Sequence, residues 1–440
     1  MEKKTGAQTA KQSDKQIGIL GIIGIMLASS LTVMVGNAIT PALPALGEVY
    51  GLGNYASWLV TAPALGVVAT AILFGKLIDK KGPYLAAVFG LLCYGFLGVA
   101  GAFMPNAVTI FIDRFFLGAA TAAIMSATVA LISVFFQGEK QLRLIAIQGM
   151  SMEFGGVIFL SVSGMLAGYS WQYPFFIYGL GFVAFLMLVF FVPRCGCAAE
   201  EEAAQREGRD AKEALQKEEG DTEETLQSER GDTKKALQKE RGDTREGETA
   251  LKATGKGAPV PLVLLIAFLG MLMFFTAMVS LPGYLQVELG YSPSFTGYYL
   301  AALDLVAVLA AGLMPNVVKK VQEKGCLTIA FTSYGTAFLL YFLSGHIAVL
   351  WTAVLFAGVG FGFSTPLFNS LIVQKSTADN KGMNISFCTM AMFLGQFLSA
   401  MLVSFIPGKS LFLTAVVIAW VIGVCIVPVA NRYRFMNKEA

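Results

Sequence analysis

Stretches of about twenty apolar residues, separated by short polar breaks, recur along almost the whole chain. They fall near 18–42, 55–78, 84–104, 108–136, 142–167, 172–193, 259–283, 295–317, 326–345, 347–373, 384–406 and 410–430. Runs of this length cross ~30 Å of hydrocarbon as α-helix, because each helical residue rises about 1.5 Å. The pattern therefore predicts twelve spanning helices, of which the first, rich in Gly and Pro, is the least regular. A polar segment, residues 194–258, divides the runs six and six. The N-terminus is polar for sixteen residues before Ile17, so a spanning helix is expected there rather than a cleavable signal peptide.

Composition sharpens this picture. Hydrophobic residues make up 55% of the 440 and charged residues only 14%. The polar segment alone holds 17 of the 29 acids and 13 of the 32 bases. What remains has too little polar surface for a water-soluble helical protein, whereas lipid requires such a composition. Lysine and arginine also alternate between connections. One set carries Lys3, Lys4, Lys11 and Lys15, then Lys76, Lys80 and Lys81, then Lys140 and Arg143. It continues with the polar segment, Lys319, Lys320, Lys324, Lys375, Lys381, Arg432, Arg434 and Lys438. The opposite set carries only Lys409, and Arg114 falls inside a span. Cytoplasmic connections are enriched in Lys and Arg. A multi-pass plasma-membrane protein with both termini cytoplasmic is expected. Six cysteines lie mostly in spans or at their edges and suggest no disulfide framework.

The polar segment repeats every eleven residues, as Glu213-Ala-Leu-Gln-Lys-Glu-Glu-Gly220, Glu224-Thr-Leu-Gln-Ser-Glu-Arg-Gly231 and Lys235-Ala-Leu-Gln-Lys-Glu-Arg-Gly242. Each unit offers one Leu, too little for a core, and helices of two turns are marginal in water. A solvated cytoplasmic tether is expected. The halves echo each other: Gly118 to Gly155 and Gly358 to Gly395 are both 37 residues apart. Internal repeats of this kind accompany binding sites at the membrane midplane.

Four features carry chemistry. Between spans two and three stands Gly75-Lys-Leu-Ile-Asp79-Lys80-Lys81-Gly82. Gly75 would allow close helix approach, and Gly82 a tight turn. Asp79 could meet the N-terminus of span eleven near Lys381 to Asn384, where free N–H groups favour an anion. Span four holds Asp113-Arg114-Phe-Phe-Leu-Gly118. An arginine among apolar residues needs partners, and adjacent helical residues do not face each other. Its partner is therefore expected on another span. Span five carries Gly149-Met-Ser-Met-Glu153-Phe-Gly155-Gly156, and span eight carries Asp304. A carboxyl group amid hydrocarbon is expensive when ionised. Such a group suits a proton carrier that is charged when hydrated and neutral when occluded.

The first motif resembles the signature loop of the major facilitator superfamily, and Arg114-x-x-x-Gly118 resembles its span-four element, especially in drug/proton antiporters. The Gly149–Gly156 stretch resembles the antiporter motif, with Glu153 near where that motif has Gly-Pro. The resemblance implies an all-α membrane protein of twelve transmembrane helices in two six-helix bundles, 1–193 and 259–440, joined by the 194–258 linker. It implies that Gly75, Asp79, Lys80 and Gly82 form a cytoplasmic latch. It also implies proton-coupled efflux of small amphipathic organic molecules by alternating access, with Arg114 in the coupling group; Glu153, which departs from the family motif, joins that group with Asp304 and Asp113 on their own chemistry, as acids inside or at the edge of apolar spans.

Side chains available to line a cavity are Asn37, Gln148, Met152 and Tyr299 in one group and Asn369, Gln374, Asn384 and Gln396 in another. Expected partners are a small-molecule substrate, protons and the bilayer, with no nucleic acid, and the chain is expected to act as a monomer. No cofactor or metal is expected, and no catalytic residue. His346 is the single histidine, and no phosphate-cradling glycine loop is present. Two other readings stay open. One is a facilitator or importer of a polar metabolite, the other a transporter-like sensor or scaffold working through the repeats.

Overall fold

The computed structural model describes residues 17–136, 138–194, 260–344, 346–376, 381–406 and 408–432. The eleven-residue repeats and the side chain of Asp79 lie outside the described part. Eleven helices carry the architecture: α1 (Ile19–Asn37), α2 (Ser57–Lys81), α3 (Pro83–Ala100), α4 (Ala107–Phe135), α5 (Gly138–Ala167) and α6 (Leu180–Phe191), then α7 (Val260–Gly283), α8 (Pro293–Leu343), α9 (Ile347–Gln374), α10 (Lys381–Phe405) and α11 (Lys409–Arg432). Each of the twelve apolar runs lies largely in helix. Among the described residues, ten helical segments are long and apolar enough to cross a membrane, and a further one, Lys409–Val424, is apolar but shorter. The 51-residue α8 takes up two of the runs and is broken at Gln322, whose backbone turns to φ 62° and ψ 174°.

Local chemistry sets several boundaries. At the start of α4, the Asn106 side chain accepts from Thr109 N at 2.9 Å while Thr109 Oγ1 accepts from Asn106 N at 3.3 Å, a reciprocal cap. Ser292 caps α8 by accepting from Phe295 N, and Pro293 occupies the first helical position, where a missing N–H costs nothing. His346 caps α9, accepting through Nδ1 from Ala348 N. Gly82, at φ 81°, makes the turn from α2 into α3, a conformation that side chains rarely adopt.

Two hydrophobic cores result. One is drawn from residues before 194 and completed by Val279; the other comes from residues after 259 and is completed by Leu160. Outside them the helices expose large apolar side chains such as Leu73, Phe96, Leu309 and Val417, as a lipid solvent requires. The helices interlock through small residues. A Cβ on Gly118 of α4 would run into the carbonyl of Pro63 on α2, and one on Gly66 of α2 into the carbonyl of Phe115. By contrast a Cβ on Gly75 meets nothing within 4 Å. Gly118→Ala is expected to lower stability by about 1–3 kcal/mol, the usual range for overpacking. Gly75→Ala should not lower it and gains the usual helical preference of alanine over glycine, about 1 kcal/mol. Thermal melting of the purified variants tests this, and equal midpoints would show the α2–α4 contact to be soft.

Candidate functional site

The halves of the chain meet along two helix pairs, α5 with α8 and α2 with α10. Both contacts are tightest at the end bearing Lys409, called here the lysine-poor end. There a Cβ on Gly164 would stand 2.6 Å from Gly297 Cα, so two backbones touch. Around this contact Gln286 Nε2 donates to the Pro41 carbonyl at 2.8 Å, and Trp58 Nε1 donates to Ser404 Oγ at 2.9 Å. The Ser404 hydroxyl lies 3.0 Å from the Asn54 carbonyl oxygen, and the Ser57 hydroxyl 3.4 Å from that of Ala400. Toward the lysine-rich end the α5–α8 contact passes from backbone to side chain, at Gly156 and Asp304, and the packing loosens. A Cβ on Gly149 or on Gly312 would meet nothing within 4 Å. The interface is a wedge, closed at one end and open at the other.

The two acids read from sequence sit at its apex. Asp304 of α8 is buried and accepts from Asn37 Nδ2 of α1 at 3.4 Å. Gly156 of α5 makes this approach possible: a Cβ there would lie 2.8 Å from Asp304 Oδ2 and 3.3 Å from Asn37 Nδ2. Glu153, one turn along α5 toward the open end, is half-buried and within electrostatic reach of Asp304. It has no hydrogen-bond partner among the described residues. Gln396 of α10 is buried beside Gly36, whose Cβ would lie 3.9 Å from Gln396 Nε2. The end of α1 thus touches both helices that cross from the other half. Tyr94 and Tyr178 brace this helix from behind, donating to the carbonyls of Leu31 at 2.6 Å and Val35 at 2.8 Å.

Asp113 and Arg114 stand elsewhere, inside the first half. The expectation of a partner for Arg114 on another span is corrected for the charge, because Arg114 pairs with its own neighbour. Nη2 and Nε donate to Asp113 Oδ2 at 2.7 and 3.0 Å. The long guanidinium stem folds back far enough to overcome the helical offset. Other helices supply the remaining contacts. Nη2 lies 3.3 and 3.4 Å from the Leu97 and Gly98 carbonyls, and the rings of Phe175 and Tyr178 flank Cζ, each centroid at 5.1 Å. Asp113 Oδ1 and Arg114 Nη1 are left without partners.

Of the remaining cavity candidates, Gln148 is buried and donates to Ser29 Oγ at 2.9 Å and Thr128 Oγ1 at 3.1 Å, tying α5 to α1 and α4. Tyr299 is fully buried, donating to the Leu350 carbonyl at 2.7 Å. Met152 is half-buried, whereas Asn369 and Gln374 are exposed. Asn384 is buried near the lysine-rich end and donates to Ser376 Oγ. Lys80 lies in the last turn of α2. Sequence reasoning missed the Gly164–Gly297 contact, the bonds made by Trp58 and Gln286, and the one that Ser163 Oγ of α5 donates to the Ala38 carbonyl just past α1. It also passed over Glu323 in the second-half loop. Glu323 is buried beside the break in α8, near Gln374 and Lys375, and its Oε2 has no hydrogen-bond partner among the described residues. A lone acid in a lysine-rich loop was the available signal.

A helical membrane fold with polar groups at the apex of a one-sided wedge between two halves defines a transport protein of the bilayer. Residues 25–400 match the family model described as Major Facilitator Superfamily, and the chain belongs to that superfamily of transporters. It is 20% identical to the multidrug efflux pump SdrM of Staphylococcus aureus, over 82% of this chain and 83% of that protein. It is 27% identical to the puromycin resistance protein pur8 of Streptomyces alboniger, over 36% of this chain. The rubrofusarin-specific efflux pump aurT of Gibberella zeae is 28% identical over 38% of this chain. The matched segments span only 32% of the length of pur8 and of aurT. The fold is shared with a POT family transporter in complex with 5-aminolevulinic acid, at a TM-score of 0.70 and 13% identity over 95% of this chain and 98% of that one. The inward-open xylose transporter XylE from E. coli gives a TM-score of 0.66 at 14% identity, over 95% and 96%.

Proposed function

We propose that this protein is a twelve-span secondary transporter with two six-helix bundles, working as a monomer in the plasma membrane with both termini in the cytoplasm. It exports small amphipathic organic molecules by alternating access, in exchange for protons. One observation carries the reading: two carboxyl groups, one from each half, at the apex of a wedge that is shut at one end and open at the other. With the lysine-rich end cytoplasmic, this is the inward-facing state. Glu153 is then hydrated and can release its proton to the cytoplasm. When the wedge closes, a bare charge there becomes costly, so turning over favours the protonated group. Asp304 couples the second half to the same event through Asn37. The Asp113–Arg114 pair supports coupling at one remove by fixing how α3 and α4 pack. Gly75, Asp79, Lys80 and Gly82 form the latch that engages at the cytoplasmic end in the opposite state.

The efflux relatives support this substrate class by kinship. The test is uphill movement of a fluorescent amphipathic dye in reconstituted vesicles under an imposed proton gradient. A protonophore is expected to abolish accumulation. Accumulation that survives it would overturn proton coupling, and dye moving in the same direction as protons would overturn efflux in favour of import.

A further inference from the structure

The α5–α8 seam carries a second kind of chemistry on the side that faces lipid. The two helices run antiparallel, with Gly164 opposite Gly297 and Gly156 opposite Asp304. Continuing that register puts Gly149 opposite Gly312, about 22 Å from the backbone contact at 1.5 Å per residue. Packing there is open on both helices, since a Cβ on either glycine would meet nothing within 4 Å. Beside this opening Met150 and Phe154 of α5 and Leu309 and Leu313 of α8 are exposed, so its walls are apolar.

Spacings of four and seven residues carry both stripes toward the lysine-rich end, and each finishes in a cation. Phe154 and Met150 lead to Arg143, and Leu309 and Leu313 lead to Lys320. Lys140 and Lys319 stand within one turn of these. Gly164 and Gly297 lie about one turn from the lysine-poor ends of their helices. Arg143 is about 31 Å from Gly164 along α5, and Lys320 about 35 Å from Gly297 along α8. A hydrocarbon core is ~30 Å thick, so both cations sit at the depth of phospholipid headgroups. All four are exposed, and none makes an ion pair or hydrogen bond with a described residue. Residues 138–150 and 309–322 hold these four bases and one acid, Glu139.

We propose that an anionic phospholipid of the leaflet at the lysine-rich end seats in this groove. Its phosphate lies between Arg143 on one wall and Lys320 on the other, and an acyl chain lies beside Gly149 and Gly312. Basic pockets between spanning helices select such headgroups by charge. Closing the wedge at that end removes the space for the chain, so the lipid holds the protein open there. The site needs neither substrate nor proton coupling, and its failure would leave the transport reading standing.

The test exposes the full purified chain to phosphatidylglycerol or to zwitterionic phosphatidylcholine and counts the bound lipid by native mass spectrometry. Phosphatidylglycerol is expected to be retained roughly tenfold more, from two or more basic residues at the membrane surface. Arg143→Gln/Lys320→Gln should lose that preference, and Arg143→Lys/Lys320→Arg should keep it. Lys76→Gln/Lys81→Gln removes the same charge from another connection at that end and should keep it too. For the hold on the open state, spin labels are placed at Val134→Cys of α4 and Val373→Cys of α9, both exposed near the lysine-rich end, with the native cysteines replaced by alanine. In nanodiscs of equal parts phosphatidylcholine and phosphatidylglycerol their separation should be longer than in phosphatidylcholine alone. Adding Arg143→Gln/Lys320→Gln should abolish that difference. Undiminished preference in the Arg143→Gln/Lys320→Gln protein, or an equal loss in Lys76→Gln/Lys81→Gln, would overturn the site. A change in separation that survives Arg143→Gln/Lys320→Gln would overturn its hold on the open state.

Discussion

Glu153→Gln is expected to abolish gradient-driven accumulation in vesicles while exchange and downhill movement persist. A pH unit across the membrane supplies about 1.4 kcal/mol per proton, or about tenfold accumulation for a one-proton cycle. The variant should bring that ratio to about one. The reason lies in the geometry around the residue. Glu153 is half-buried at the apex of the wedge and bonded to no described residue, so an amide of equal size removes its proton without removing a structural contact. Asp304→Asn should have a smaller effect. An amide oxygen at that position still accepts from Asn37, which preserves the link between α1 and α8. Initial rates and plateau accumulation, measured over a series of imposed pH differences, separate coupling from binding. If both substitutions leave uphill transport and its pH dependence intact, protons do not pass through these groups.

The second large effect belongs to two glycines. Gly297→Val should reduce turnover more than tenfold and raise the reactivity of a cysteine introduced at Asn54 toward reagents added at the lysine-poor side. Gly164 and Gly297 bring α5 and α8 into backbone contact, and a Cβ on Gly297 would lie 2.5 Å from Gly164 Cα. Nonbonded carbon atoms sit at about 3.5–4.0 Å, so any side chain forces the helices apart. Helix propensity acts in the opposite direction, since replacing glycine with alanine inside a helix is worth about 1 kcal/mol in stability. Gly297→Ala is therefore informative as well: slower transport in a variant that melts no lower isolates the closure from the fold. Normal turnover with normal thiol accessibility in the valine variant would show that this contact does not limit the cycle.

The helices were legible in the sequence because a bilayer sorts segments by length and polarity, and both are local properties. Glu153 and Asp304 were legible for the same reason, as carboxyl groups standing where hydrocarbon is expected. Their meeting through Asn37 and Gly156 was not, since it joins α8 to α1 and α5 across the whole linker. Gly164 and Gly297 each read as one more small residue in an apolar run; only the pairing gives them meaning. The Arg114 pairing failed for a different reason. The spacing rule concerns where side chains leave the helix, and a guanidinium stem is long enough to return to Asp113. Glu323 was hidden because its loop lacks the pattern of the first-half loop, while the break at Gln322 turns the chain so that an acid in a charged loop becomes buried.

The closed end is held by neutral partners throughout. Trp58 meets a hydroxyl, Gln286 and Ser57 meet carbonyls, and two glycines meet backbone to backbone. Dissolved ions screen net charges over about 10 Å at 0.1 M but have little hold on dipoles and packed carbon. The balance between shut and open at this face should therefore shift little between dilute and saline surroundings.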